Sequence, residues 1–245
     1  MFHISLPKAS LFLLFAAFAS TVQAGSVPVA NPSFESPTPP PGFPAFPVID
    51  SWQKTPEIPG IPLPGGITWD QLSGVFLNSD ASQPDHIDNM TGNQGAYLFS
   101  IPGVGIFQDL SAMYSVGSSY SLTLGAIGGG GGMTEGSTLL LGMYYRDAGN
   151  NMVPIGSLPI TFTTATFPST THFLDFTLNL PAVQAGDPWA GHAIGLEVLA
   201  ASGTGAGYWD IDNVRLNAVP EPSVLAVLGL GTGMVVLARL RRRRC

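Results

Sequence analysis

The stretch that decides the fold class is Ser119–Ile127, with the sequence SYSLTLGAI. Its larger apolar side chains alternate with small or polar ones, which is the period of a strand with one buried face. Similar short runs, separated by Gly, Ser, Asn and Pro, predict further strands at Ala96–Ile101, Gly105–Leu110, Thr138–Arg146, Pro159–Thr163, Thr171–Leu178, His192–Leu199 and Tyr208–Leu216. Because no soluble helix pattern interrupts them, the sequence predicts an all-β fold, an antiparallel sandwich of the jelly-roll type.

The first 24 residues have the pattern of a secretory signal peptide. Lys8 supplies a positive charge, residues 10–19 form an uncharged apolar run, and Ala24 ends the segment with a small side chain. The run is too short to span a bilayer, which needs about 20 apolar residues. We therefore expect cleavage before Gly25 and export of the remainder, with a buried N-terminal helix as the alternative.

The C-terminal residues combine a short apolar segment with a cluster of arginines. Pro220, Glu221 and Pro222 precede a predicted transmembrane helix within residues 223–240, and the basic residues around its end are Arg239, Arg241, Arg242, Arg243 and Arg244. Arginine resists crossing the membrane, so this end is expected to stay in the cytoplasm. The apolar run itself, Val224–Ala238, would be only about 22 Å long as a helix. This is short for a hydrocarbon core of about 30 Å, which favours a temporary anchor.

These three parts, in this order at residues 218–245, resemble the PEP-CTERM sorting signal of Gram-negative bacteria. The resemblance implies recognition by an exosortase and cleavage near the Pro-Glu-Pro motif. It also implies a precursor tethered transiently to the inner membrane and later released to the cell surface or the extracellular space. Such proteins are typical of bacteria that make exopolysaccharide.

The segment between the two ends, residues 25–217, is the predicted β-sandwich and is strongly acidic. From Gly25 to Val219 its basic residues are only Lys54, Arg146 and Arg215, against 15 Asp and Glu. This balance repels phosphate groups and argues against binding of nucleic acid. The segment contains no cysteine, which excludes a disulfide framework and a thiolate metal site.

Residues 36–66 are rich in proline, which cannot donate to a strand ladder. The segment also carries apolar side chains, among them Ile49 and Trp52. We expect an irregular loop or extended cover that packs on the sandwich.

Two segments resemble the opening and closing strands of galactose-binding-like jelly rolls. The opening segment is Val29–Glu35 (VANPSFE), and the closing segment is Tyr208–Leu216 (YWDIDNVRL). Gly92–Tyr97 and Phe107–Leu110 lie between them and match the same pattern. Carbohydrate-binding modules share this pattern, and the calcium-dependent indole-alkaloid cyclases of cyanobacteria are similar too. The resemblance implies a body like that of a carbohydrate-binding module.

The resemblance also implies a structural calcium site where the first and last strands meet. Glu35 and Asp212 would supply carboxylates and Asn31 a carbonyl oxygen, all hard ligands that calcium prefers. The alternative is that these side chains face solvent or accept hydrogen bonds from the backbone. A second polar cluster, Asp85–Asn89 with Asp80, has no EF-hand spacing and is better explained as a solvated loop.

We therefore expect an exported surface or matrix protein, not an enzyme, that binds polysaccharide or is structural in a biofilm. Sugar rings stack on exposed aromatic side chains, and the candidates, each of which could instead pack in the core, are Trp52, Trp69, Tyr144, Tyr145 and Trp189. The alternative is a calcium-dependent enzyme on the same fold, glycan-active or cyclase-like, with Asp210 as its candidate acid.

Overall fold

The computed structural model describes residues 24–63, 65–203 and 207–220. Across these residues the chain forms β-strands and one short 3-10 helix, Trp69–Leu72. The strands are β1 (Gly25–Val27), β2 (Ala45–Phe46), β3 (Gln53–Lys54), β4 (Ser73–Leu77), β5 (Gln94–Phe99), β6 (Gly105–Met113), β7 (Ser118–Gly130), β8 (Thr138–Arg146), β9 (Met152–Thr161), β10 (Leu174–Leu180), β11 (Ala193–Ser202) and β12 (Tyr208–Pro220).

The strands form two sheets in which every pair is antiparallel. Sheet A has the order β10-β7-β12-β5-β4-β2, with β1 also paired to β12. Sheet B has the order β3-β6-β11-β8-β9. The predicted all-β, antiparallel architecture is therefore confirmed.

One hydrophobic core lies between the two sheets. Leu122 and Leu124 of β7 and Trp209 of β12 contribute from sheet A, while Leu196 and Val198 of β11 contribute from sheet B. All five are 0–1% exposed. Alternate residues of the same strands must then lie on the outer faces of the sheets, away from this core.

The predicted C-terminal transmembrane helix is not supported. Residues 223–240, like Glu221 and the arginine cluster, lie outside the described residues, as does the predicted signal peptide up to residue 23. In the part of the chain that the structure describes, no helix has the length and apolarity needed to cross a membrane.

The proline-rich segment 36–66 covers the edges of both sheets and contains the two-residue strands β2 and β3. The Nζ atom of Lys54 fixes it by donating to the carbonyl oxygens of Pro47 at 2.9 Å and Ser73 at 2.7 Å, and also to that of Asp70. Burial lowers the pKa of this ammonium group, against the smaller opposing effect of Asp70. One side chain thus ties the cover to the 3-10 helix and to β4.

Candidate functional site

Strand β12 lies inside sheet A, between β5 and β7, and it carries two aspartates on the face away from the core. Trp209 and Ile211 point into the core and are fully buried. The alternation of a strand therefore places Asp210 on the outer face of the sheet. Its direct cross-strand neighbours are Tyr97 on β5 and Ile127 on β7.

The carboxyl group of Asp210 has no hydrogen-bond partner among the described residues, and the residue as a whole is half-buried. Its surroundings disfavour the charged form, and this desolvation raises its pKa to about 7. An acid with such a pKa is protonated in a large fraction of molecules at neutral pH. Asp210 can therefore donate a proton to a bound molecule, which an ordinary surface aspartate cannot do.

Aromatic side chains surround this acid. Tyr97 and Phe99 of β5 have ring centroids 6.2 Å apart, and Phe99 lies 6.2 Å from Tyr208 of β12. Tyr208 lies two residues before Asp210 on β12, and burial, followed by the charge of Asp210, raises its pKa. We call Asp210, Tyr97, Phe99, Tyr208 and Ile127 the Asp210 face.

The glycines after Ile127 make room for Tyr208. The pairing of β7 with β12 shifts between Asp210 and Tyr208, so that β7 holds an extra residue, and Gly129 has a φ of +98°. A β-carbon on Gly130 would lie 2.5 Å from the ring of Tyr208, and one on Gly131 would lie 2.9 Å from it. Side chains at these positions would displace Tyr208 from its place beside Asp210.

The loop between β4 and β5 covers one side of the Asp210 face. Ile87 of this loop is buried against Ile127 and Phe173, and Met90 packs on the same cluster. Asn89 fixes the loop by accepting from the backbone N–H of Phe173 at 2.8 Å and donating to its carbonyl oxygen at 3.0 Å. The loop thereby brings apolar side chains to the outer face of sheet A.

The same loop connects the two predicted calcium ligands. Oδ2 of Asp212 accepts from the backbone N–H of Thr91 at 2.6 Å, and Oε1 of Glu35 accepts from those of Asn93 at 2.9 Å and Gln94 at 2.8 Å. Burial raises the pKa of Asp212 to about 7, and the charge of Glu35 contributes to this increase. The structure therefore brings Glu35 and Asp212 close enough to repel each other.

Glu35 and Asp212 are suited to hold a calcium ion, whereas Asn31, the third predicted ligand, is not. A divalent cation between Glu35 and Asp212 would offset their repulsion, and backbone carbonyls could complete the shell. The side-chain oxygen of Asn31 instead accepts from the backbone N–H of Ser36 at 3.2 Å, while Nδ2 donates to the carbonyl oxygens of Ser36 at 2.7 Å and Asp50 at 2.9 Å. No group of three or more His, Cys, Asp or Glu side chains suited to a metal occurs among the residues described.

The aromatic residues considered for sugar stacking mostly serve packing. Trp52, Trp69 and Tyr144 are buried, and Tyr145 and Trp189 are partly buried against the main core. The signal that sequence reasoning missed was the aromatic set on the outer face of sheet A. Tyr97 and Phe99 are spaced by two in β5, as are Tyr208 and Asp210 in β12, but only strand pairing shows that they meet.

The second polar cluster holds the β4–β5 loop in place. Asp88 lies 2.7 Å from Nδ1 of His172, and Asp85 accepts from the hydroxyl of Ser79 at 2.8 Å. Both contacts are at the surface.

Comparison with known proteins identifies relatives of this architecture. The model of the HpiC1-like family, described as HpiC1 cyclase, matches residues 25–217. The comparison with curated proteins returned no match.

Solved structures of cyclases are similar in fold. A cyclase from Fischerella sp. TAU superimposes with a TM-score of 0.62 at 19% identity, covering 82% of this chain and 100% of its own. The Stig cyclase Fisc from the same organism was solved in complex with (3Z)-3-(1-methyl-2-pyrrolidinylidene)-3H-indole. It superimposes with a TM-score of 0.59 at 19% identity, covering 82% of this chain and 100% of its own. A Fischerella sp. TAU cyclase in complex with 4-(1H-indol-3-yl)butan-2-one superimposes with a TM-score of 0.59 at 20% identity, covering 81% of this chain and 100% of its own.

These matches correct several expectations from the sequence. The family model that matches residues 25–217 is that of a cyclase. The assignment to a PEP-CTERM protein with a body like that of a carbohydrate-binding module is therefore wrong. The expectations of a non-enzymatic surface or matrix protein, a polysaccharide ligand and an exosortase partner are wrong for the same reason. The alternative of a cyclase-like enzyme agrees with the matches.

Proposed function

Because this chain belongs to the HpiC1-like cyclase family, we propose that it is a cyclase of jelly-roll topology that uses Asp210 as its general acid. The observation that carries the assignment is the position of this carboxyl group. It lies on the outer face of sheet A, without a hydrogen-bond partner among the described residues, between aromatic and apolar side chains. A proton donor in such surroundings is suited to protonating a carbon atom of an apolar substrate rather than a strongly basic group.

The reaction that these groups support is an acid-promoted ring closure. The O–H bond of Asp210 breaks and a C–H bond forms at one carbon of a substrate double bond, leaving a carbocation at the other. A nucleophilic carbon of the same molecule then closes the ring, and loss of a proton to the Asp210 carboxylate restores the acid. The product is an isomer of the substrate, so the step needs no oxidant or reductant.

The aromatic side chains account for substrate binding and for stabilisation of the cation. The faces of Tyr97, Phe99 and Tyr208 carry negative electrostatic potential and attract a nearby positive charge. The same rings pack against a flat apolar molecule. The indole ligands bound by the Fischerella cyclases are of this kind, and we propose an indole bearing an unsaturated side chain as the substrate class.

Glu35 and Asp212 are the residues that would hold calcium. Asp212 lies two residues from Asp210 on β12, and Glu35 reaches it from the opening segment through the β4–β5 loop. The ion would supply positive charge that offsets the repulsion of the two carboxylates and fixes this loop beside the Asp210 face. Its role in this proposal is structural.

An activity assay with the purified protein tests the assignment. Indoles with unsaturated side chains are incubated with the protein in D₂O, the products are separated, and their masses are measured by mass spectrometry. We expect a cyclic isomer that carries one deuterium at the protonated carbon. Asp210→Asn keeps the shape of the side chain and removes the acid, and it should lower the rate by about 10²–10⁴-fold.

Glu135→Gln is the matched control. Glu135 is an exposed carboxylate that accepts from Thr164, so its replacement removes one negative charge without touching the Asp210 face. Its rate should equal that of the unchanged protein. An Asp210→Asn variant that cyclises at the full rate, or a product without deuterium, would refute the assignment.

A further inference from the structure

The Asp210 face contains two tyrosines whose hydroxyl groups have different surroundings. The hydroxyl of Tyr97 donates to the carbonyl oxygen of Gln71 at 3.3 Å, so its proton is already bound within the protein. The hydroxyl of Tyr208 forms no hydrogen bond in the part of the chain that the structure describes. Tyr208 is therefore the tyrosine of this face whose hydroxyl can donate to a ligand.

The ring of Tyr208 is held in place by its neighbours. A β-carbon on Gly130 would lie 2.5 Å from Cε2 of this ring, and one on Gly131 would lie 2.9 Å from Cε1. Since these atoms are on opposite edges of the ring, the ring lies across both glycines. Phe99 packs beside it with a tilt of 49° between the ring planes. A ring fixed in this way loses little conformational freedom when its hydroxyl binds a ligand.

Tyr208 and Asp210 lie on the same face of β12 at a short, fixed spacing. One residue, the inward-pointing Trp209, separates them. A strand rises by about 3.3 Å per residue, so the two Cα atoms are about 7 Å apart. A substrate whose double bond lies at Asp210 would therefore place a group about 7 Å away, in the direction of Tyr208, beside the free hydroxyl.

The chemistry of the two side chains limits what this group can be. Burial and, to a smaller extent, the charge of Asp210 raise the pKa of Tyr208 above its ordinary value of 10.0, so the hydroxyl is protonated at neutral pH. It can then donate to an acceptor atom. The nearby carboxylate of Asp210 and the acidic character of the chain between its two ends disfavour an anion. An uncharged acceptor, such as a carbonyl oxygen or a nitrile nitrogen, fits these conditions.

We propose that Tyr208 determines substrate specificity by donating a hydrogen bond to an uncharged acceptor on the side chain of the indole substrate. The inference rests on the proposed cyclase site and adds a requirement to it. The substrate carries its acceptor about 7 Å from the double bond that Asp210 protonates. The hydrogen bond aligns that double bond with Asp210, whereas packing on the rings alone leaves the substrate free to slide along them.

Two saturated indoles test this hydrogen bond without any ring closure. 4-(1H-indol-3-yl)butan-2-one and 3-butylindole have side chains of equal length and differ in one carbonyl group. Their affinities are measured by calorimetry at pH 8 in calcium-containing buffer, where Asp210, with a pKa of about 7, is mostly ionised and cannot donate to the ketone. Tyr208→Phe keeps the ring, and it should lower the ratio of ketone affinity to alkane affinity about 2–10-fold.

Tyr97→Phe is the matched control, because it removes a hydroxyl that already donates to Gln71. Whatever its effect on the two affinities, it should leave their ratio unchanged. The ¹³C resonance of the labelled ketone carbon should move downfield on binding to the unchanged protein, and it should not do so with Tyr208→Phe.

A ratio that Tyr208→Phe leaves unchanged, or that Tyr97→Phe lowers equally, would overturn the inference. Proton transfer by Asp210 could still hold in either case, because the rate of Asp210→Asn tests it separately. A lack of binding by both probes would overturn this inference and contradict the proposed site as well.

Discussion

Asp210 and Asp212 show how the contacts of a side chain decide its chemistry. They are two residues apart on β12, and burial raises the pKa of each to about 7. Asp212 accepts backbone hydrogen bonds from Thr91 and Asn213, both at 2.6 Å. Asp210 has none in the described structure, so its proton and its oxygens are available to a substrate. The two aspartates therefore suit different roles, one structural and one chemical.

Asp210 should reduce the stability of the folded protein when it is ionised. Its pKa is about 3.8 in the unfolded chain and about 7 when folded, so the native state binds more protons between these values. Its contribution is therefore most favourable below about pH 4 and is lost as the pH rises through 7. At pH 8, Asp210→Asn should stabilise the protein by about 1–2 kcal/mol, or about 3–6 °C in Tm. The difference in Tm between Asp210→Asn and the unchanged protein is measured by thermal unfolding in calcium-containing buffer at pH 8 and at pH 5.

The gain in Tm should shrink at pH 5, where Asp210 is protonated in the folded state. Calcium is kept constant because Asp212, a neighbour on the same strand, titrates in the same range, and Tyr97 and Tyr208 stay neutral at both pH values. A lower Tm for Asp210→Asn at pH 8 would mean that this carboxylate stabilises the fold, which is incompatible with a raised pKa in the folded state.

At the scale of the structural elements, the β4–β5 loop links the opening segment to the last strand. Its backbone N–H groups donate to Glu35 of the opening segment and to Asp212 of β12. Gly92 lies at the point of closest approach, with a φ of +87°, and a β-carbon there would lie 2.5 Å from the carboxyl group of Glu35. The loop can adopt this path only because residue 92 has no side chain.

Gly92→Ala should therefore destabilise the protein by about 2–4 kcal/mol, from backbone strain and from contact with Glu35. Gly117→Ala is the matched control, because Gly117 has a φ of +80° but no atom within 4 Å of a built β-carbon. It should cost about 1 kcal/mol, the strain alone. Chemical denaturation of both variants gives the comparison. Equal losses would show that the approach of Gly92 to Glu35 does not matter.

Calcium should stabilise the protein through the same elements. An ion held by Glu35 and Asp212 binds only the folded state, and at 100-fold its Kd it contributes about 2.7 kcal/mol. Chelation should then lower Tm by about 5–10 °C. Asp212→Ala should abolish the response to chelator, whereas Asp85→Ala, in the surface cluster of the same loop, should retain it. Identical melting curves of the unchanged protein with calcium and with chelator would rule out the site.

The strands illustrate what could be predicted from the sequence and what could not. The alternating runs, such as Ser119–Ile127, gave eight strands that all overlap observed ones, because one face of each is buried. Residues 152–158 of β9 lie outside the predicted strand, and they include Pro154, which an edge strand of sheet B tolerates. Strand β7 also continues through three glycines after Ile127, the last of which, Gly130, accommodates the ring of Tyr208.

At the scale of the whole molecule, the closing segment Tyr208–Leu216 did not identify the function. The segment resembles those of both carbohydrate-binding modules and cyclases, and the cyclase family model that matches residues 25–217 decides between them. Trp52 and Tyr144 are buried, whereas Tyr97 and Tyr208 meet at Asp210 only after β5 and β12 pair. Asp210 could be named as a candidate acid from the sequence, but its lack of a partner follows from tertiary structure alone.

The proposed active site occupies one surface of the sandwich, the outer face of sheet A around Asp210. A crystal structure of the protein with 4-(1H-indol-3-yl)butan-2-one, the ligand of a similar cyclase, would locate the substrate pocket without reference to activity. We predict the indole against Tyr97, Phe99 and Tyr208, with a ligand atom within hydrogen-bond distance of the Asp210 carboxyl group. An indole bound on sheet B or elsewhere, with the Asp210 face empty, would show that the active site does not lie there.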